Sequence, residues 1–289
     1  MREPHPGRLD VTGFALTSLA LAGLVFGLET VGRGAVDDWV TIALIAAGAV
    51  AALAYVPHAR RTKTPIIDLG LFAIPTYRAA VIGGFFFRAG IGALPFLLPM
   101  MLQVGFGLSA LSSGLITFAA AAGALTMKFT AGPFIRALGF RRVLVWNVIV
   151  SSAFLLVNGF FEPATPHWLI FVALLVGGFF RSLQFTAMQA LSFADVPPER
   201  MSRATSLGNM MQQLAQSVGV AFGAMVLHLT IIIGGTGAVG PDDFFPAFAG
   251  IALVSLAAIL FFLPLAADAG AEVSGHRLAS PAEREKAAD

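Results

Sequence analysis

The sequence predicts an all-α polytopic membrane protein with about eight transmembrane helices. Three observations carry that prediction. Hydrophobic residues make up 57% of the 289-residue chain and charged residues only 12%, with a mean hydropathy of +0.83. A water-soluble domain of this size has too few polar groups, at that composition, to cover its surface. Apolar runs long enough to cross a bilayer recur along the whole chain, and in lipid such runs satisfy their backbone hydrogen bonds only as helices. Finally, Lys and Arg between the runs fall almost entirely to one side.

Taken in order, Val11–Leu28 and Trp39–Val56 form a first pair of spans within residues 1–56. Small residues at Gly23-x-x-x-Gly27 suit close helix packing there, as Gly219-x-x-x-Gly223 does later. Residues 57–78 form a basic connector, whose IIDLGLFAI stretch reads as a short amphipathic helix on the membrane surface ahead of Pro75. The third run, Ala79–Met101, carries a single charge, Arg88. At 1.5 Å per residue Arg88 lies roughly 15 Å from the start of the run, near the middle of a ~30 Å hydrocarbon core. Leu111–Thr130 and Val143–Phe160 follow, then Trp168–Leu191 with a second mid-membrane cation, Arg181, and last Ala204–Ile233 and Phe244–Leu263. Residues 266–289 are small, polar and charged, the composition of a disordered tail.

With both termini on one side, fifteen of the eighteen Lys and Arg fall on that side; Arg33 lies opposite, and Arg88 and Arg181 lie within the membrane. This bias predicts that the basic side, with both termini, faces the cytoplasm across a plasma (bacterial inner) membrane. The basic character therefore reflects topology, and nucleic acid is not an expected partner. There is no cysteine, and the five histidines lack metal-ligand spacing, so no disulfide, metal or cofactor is expected. Gly235-Thr-Gly237-Ala-Val-Gly240 matches a dinucleotide pattern in its letters, but it follows a membrane helix rather than a strand. No Walker loop, nucleophile elbow or HExxH occurs, so the chain is not expected to be an enzyme. Asp38 and Asp243 each precede a span and read as helix N-caps.

The chemistry lies in a few polar groups inside the spans. A cation at mid-membrane is costly unless it meets a partner or a water-filled cavity. Arg88 and Arg181 therefore read either as structural residues tied to backbone carbonyls or as the lining of a solute path. The third span also holds Gln103, and the sixth holds Gln184 and Gln189. In the seventh, Asn209, Gln212, Gln213 and Gln216 fall at i, i+3, i+4 and i+7, on one helix face. The cavity candidates are Arg88, Gln103, Arg181, Gln184, Asn209, Gln212 and Gln216. No Asp or Glu lies in the core of a span, Glu29 being at an outer edge, so a proton-carrying residue is not evident. Gly83-Gly-Phe-Phe-Phe-Arg88 and Gly177-Gly-Phe-Phe-Arg181 lie in spans of opposite direction, each opening a set of three, which is the layout of a 3+3 inverted repeat.

Three stretches resemble the fourteen-span drug:proton antiporter branch of the major facilitator superfamily. Gly92-Ala-Leu-Pro-Phe-Leu-Leu-Pro-Met-Met-Leu-Gln103 with Gly105-Phe-Gly-Leu-Ser-Ala-Leu-Ser-Ser-Gly114 is similar to the seventh core helix and its following turn. Gly132-Pro-Phe-Ile-Arg136-Ala-Leu-Gly139-Phe-Arg141-Arg142 resembles the second copy of the family's cytoplasmic loop motif, with Arg136 where an Asp is usual. Asp195-Val-Pro-Pro-Glu199 through Asn209, Gln212, Gln213 and Gly219 resembles the entry to core helix eleven. The resemblance covers nearly all of this chain but only the second half of the family's length. It implies that residues 79–265 form the six-helix C-terminal half and that residues 1–56 are the two extra helices of that branch. It also implies export of hydrophobic or drug-like small molecules by proton antiport, with the lipid bilayer, a small-molecule substrate and an N-terminal six-helix half as partners. The alternative is a non-transporting half-carrier that serves as a membrane scaffold or as the regulatory partner of another chain.

Overall fold

The computed structural model describes residues 10–31, 36–62, 65–234 and 239–275, and its regular structure there is entirely helical. Eight helices are long and apolar enough to cross a membrane: α1 (Val11–Thr30), α2 (Asp38–Arg61), α3 (Pro75–Gly105), α4 (Ala110–Lys128), α5 (Ala131–Asn158), α6 (His167–Ala194), α7 (Pro198–Gly234) and α8 (Pro241–Phe262). A short helix, α9 (Ala271–Ser274), follows. Each long helix covers one of the eight apolar runs, wholly or to within two residues of its end. Several extend past their run because flanking polar residues are helical too. α5 begins twelve residues before Val143 and turns a corner at Gly139, where φ 75° and ψ 158° break the helical path.

Helix pairing follows an internal symmetry. α4 packs on α6 and α3 on α7; α5 packs on α6 and α8 on α3; α5 and α8 meet each other. Exchanging α3 with α6, α4 with α7 and α5 with α8 carries these five pairs onto one another, the pattern of a 3+3 inverted repeat, whereas the packing of α7 on α8 has no counterpart of similar extent between α4 and α5. The matching Gly-Phe stretches obey the same exchange. Gly83 of α3 abuts Phe262 of α8, and Gly177 of α6 abuts Phe154 of α5. Glycine makes the two tightest crossings. Gly123 and Gly178 lie against the carbonyls of Leu175 and Ala120 between α4 and α6, and Gly219 lies against the carbonyl of Ala89 between α7 and α3. Backbones approach this closely only where no side chain intervenes.

The α1–α2 pair is closed in the same manner. Gly23 lies against Leu44 and Gly48, and Gly27 against Ile45. Thr30 and Thr41 share a hydrogen bond at one end, 3.0 Å. At the other end His58 Nε2 lies 2.8 Å from Asp10 Oδ1, which also accepts the Gly13 amide and so caps α1. Burial pushes the Asp10 carboxyl up, but the Gly13 amide and His58 outweigh it, and the net shift is below the ordinary carboxylate value of 3.8. A lowered folded value means the stabilisation is present above pH 3.8 and is lost as pH falls through the folded pKa. Asp10→Ala should cost about 1 kcal/mol. Thermal unfolding of the variant at pH 7 measures that cost, and the difference should shrink in strong acid.

Three expectations need correction. The IIDLGLFAI stretch is not a surface helix. Leu69–Ala73 forms a tight 3-10 turn with Leu71 fully buried, and the connector is tied inward at several points. Tyr55 Oη donates to Ile67 O and accepts from Ile67 N, Arg200 pairs with Asp68 at 2.8 Å, and Tyr77 Oη donates to Ala204 O. The connector thus packs α2 onto α3 and α7. The expected disordered tail is ordered through residue 275, with α9 docked on α5 and α6; residues 276–289 lie outside the described residues. Asp38 is the first residue of α2 rather than its cap; Asp243 does stand at the cap position before Phe244, but its carboxylate accepts the Gly240 amide one turn back rather than an amide of that helix.

Candidate functional site

Helices α3, α4, α6 and α7 wall a cavity of about 1010 Å³. α3 reaches it through a kink. Pro95 has no N–H to give the preceding turn, and the chain bends at Ala93, leaving Arg88, Ile91, Gly92 and Pro95 on the cavity side. α6 contributes one face: Arg181, Ser182, Phe185, Thr186, Gln189 and Phe193. α7 supplies Gln212 and Gln216, one turn apart, and α4 supplies Ala124 and Lys128 at the same spacing. Val273 of α9 borders the cavity at the end where Lys128 lies.

Arg88 and Arg181 each lie about 20 Å along their helices from Pro75 and Ala194 respectively, the same depth from the basic end. The Arg88 guanidinium folds back over Gly84, where a Cβ would stand 2.7 Å from Nη1. Its Cζ lies 5.4 Å from the centroid of the Phe185 ring, a cation–π contact. Among the described residues neither arginine pairs with a carboxylate or donates to a backbone carbonyl. The arrangement is therefore that of two cations presented to a shared space, not of two cations locked into helix packing.

The structure brings together Arg88, Arg181, Gln212 and Gln216 of the seven cavity candidates. Asn209 sits just outside, in a crevice of about 20 Å³ shared with Arg88 and Gln212. Gln184 turns away from the cavity. It is fully buried between α5 and α6, where its Oε1 accepts from Asn147 at 2.9 Å and its Nε2 donates to Leu144 O. Gln103 is exposed near the far end of α3 and donates to Ser113 Oγ at 3.4 Å. Four cavity polar groups went unselected by sequence reasoning: Lys128, Ser182, Thr186 and Gln189. Lys128 counts as a loop cation by charge bias, yet it falls inside the apolar run Leu111–Thr130, a position that marks it as partly intramembrane. Glu29 is less remote than its edge position suggests. Its Oε1 is 3.5 Å from the hydroxyl of Ser217, a buried residue midway along α7.

The loop-motif residues all lie on α5, on either side of its corner. Gly139 is the corner itself, while nothing stands within 4 Å of a Cβ at Gly132. Arg136 lies on the short segment before the corner, near Gly275. Arg141 and Arg142 line a groove of about 240 Å³ with Trp146 and Leu263. Residues 235–238 of the glycine pattern lie outside the described residues. No group of three or more His, Asp or Glu able to hold a metal occurs among the described residues.

Comparison with known proteins gives a consistent set of likenesses. The family model described as Major Facilitator Superfamily matches residues 80–286. The proteins named MdtD and ascribed to multidrug resistance in Salmonella paratyphi B, Salmonella heidelberg and Salmonella typhi are each 33% identical over 224 residues. The matched region is 77% of this chain and 47% of each relative. The chain thus spans about half the length of the curated relatives it matches.

Proposed function

The chain belongs to the Major Facilitator Superfamily, and from that premise we propose that the protein carrying it is a secondary transporter exporting hydrophobic, drug-like small molecules by proton antiport. The carrying observation is the cavity of about 1010 Å³ with apolar walls and a few convergent polar groups among the spanning helices. That volume and lining suit a drug-sized solute. Residues 79–265 are the six-helix C-terminal half, residues 1–56 are two added helices, and a further six-helix half faces the open side of the cavity. The greater length of the relatives supports this division. The basic end faces the cytoplasm of the plasma membrane, in keeping with the charge bias. Solute crosses as the two halves rock about the cavity.

Accumulation of a neutral amphipathic dye, Nile red, tests this reading in cells carrying or lacking the intact gene at its own locus. Loss of the gene should raise dye accumulation severalfold, and an uncoupler should bring both strains to the same level. Equal accumulation before the uncoupler is added would overturn the transport reading. A difference that survives the uncoupler would overturn proton coupling.

A further inference from the structure

Resting on the transport reading, we propose that the cavity selects aromatic amphiphiles bearing one negative charge, a carboxylate or sulfonate, over cations of the same size. Three cationic side chains border the cavity: Arg88 and Arg181 at mid-depth and Lys128 at the basic end. Among the described residues lining it there is no Asp or Glu. Of the acidic groups on neighbouring elements, Glu272 of α9, beside Val273, is exposed, and three others are engaged elsewhere. Asp195 accepts from Thr76, Asp68 pairs with Arg200, and Glu29 approaches Ser217. A guanidinium keeps its proton throughout the physiological range, so Arg88 and Arg181 are fixed positive charges.

The remaining lining supplies the other half of the recognition. Phe185 and Phe193 from α6 offer ring faces, and Pro95 an apolar edge. Gln189, Gln212 and Gln216 are neutral hydrogen-bonding groups that tolerate varied polar substituents. The Arg88 guanidinium lies over Phe185. A planar anion entering beside that ring meets an apolar face and a paired-donor cation together, a geometry suited to carboxylate and sulfonate oxygens. Lys128, at the end of α4, adds a positive charge on the way in, which favours approach of anions. A cation of equal size meets the same apolar faces but three like charges in a low-dielectric space, where repulsion is strong.

The test uses the purified intact protein in nanodiscs of neutral phosphatidylcholine and a matched series of probes: 2-naphthoate, 2-naphthylmethylammonium and 2-naphthalenemethanol. Naphthoate should bind about tenfold or more tightly than the ammonium, the scale expected from like- and opposite-charge contacts at partial burial. Arg88→Gln and Arg181→Gln should each lower the ratio of naphthoate to naphthalenemethanol affinity several-fold, whereas Arg88→Lys and Arg181→Lys should largely retain it. The lysine variants and thermal unfolding separate loss of charge from loss of fold. Ammonium binding equal to or tighter than naphthoate would overturn the proposal while leaving the cavity as a solute site. A naphthoate preference undiminished in both glutamine variants would overturn the assignment to these arginines. Binding of none of the three would overturn the cavity reading and the proposal with it.

Discussion

Replacing Gly178 with valine should remove most folded protein from detergent extracts. Gly178 is the point where α6 crosses α4, and a Cβ there would overlap the carbonyl of Ala120, with the Ala120 Cα only 2.8 Å away. The obstruction is backbone on both sides, so no rotamer change relieves it. The helices must part, which opens the reciprocal contact of Gly123 with Leu175 and draws Ser182 Oγ from the Ala124 carbonyl it bonds at 3.0 Å. Overpacking costs about 1–3 kcal/mol, and a buried polar group left unpaired adds about 1–3 kcal/mol. Their sum is a large share of the stability of an ordinary domain. Gly114→Val is the control, because no heavy atom stands within 4 Å of a Cβ there. Size-exclusion profiles and thermal unfolding should show Gly178→Val lost and Gly114→Val close to wild type. Equal behaviour of the two would contradict the α4–α6 crossing.

Gly139→Ala should destabilise the corner within α5 by about 1–3 kcal/mol, the range for a side chain held in a sparsely populated backbone region. With φ 75° and ψ 158° the residue occupies a region that is essentially glycine's alone. The other escape is for α5 to straighten. That would swing residues 131–138 away from the bundle and move Arg136 from its place near Gly275. Protease cleavage between residues 129 and 139 should therefore accelerate in the variant, along with a lowered unfolding temperature. An unchanged cleavage rate and an unchanged unfolding temperature would show that the corner is not built as described.

Spans were legible because a bilayer imposes one length and one period on them, and each of the eight apolar runs matches a long helix to within two residues at its far end. Arg88 and Arg181 were legible as central because a charge inside an apolar run has few places to go. The direction in which a polar side chain faces was less so. Gln184 and Gln216 look alike in sequence, but Gln184 finds Asn147, thirty-seven positions away, and is absorbed into packing. Nothing local to Gln184 announces that partner. The connector was misread for the same reason. Its amphipathic pattern suits a membrane surface, and only partners outside it, Tyr55, Arg200 and Ala204, reveal a protein surface instead. The ordered stretch after Leu265 was hidden by composition, since small residues such as those around Gly270 pack against Phe140 and Leu191 without an apolar signal of their own.

The chain holds no cysteine of its own, so with any cysteine in the rest of the intact protein replaced by serine the cavity is directly measurable. Single cysteines at Gln189, Gln212, Gln216 and Ala187 can be labelled with a small hydrophilic methanethiosulfonate in the intact protein in membranes. The first three side chains border the cavity, whereas Ala187, two residues from Gln189, is fully buried. Fast reaction at Gln189→Cys, Gln212→Cys and Gln216→Cys, with Ala187→Cys protected until the protein is unfolded, is the expected result. Protection at the three cavity positions, or equally fast reaction at Ala187→Cys, would contradict a solute path between α3, α4, α6 and α7.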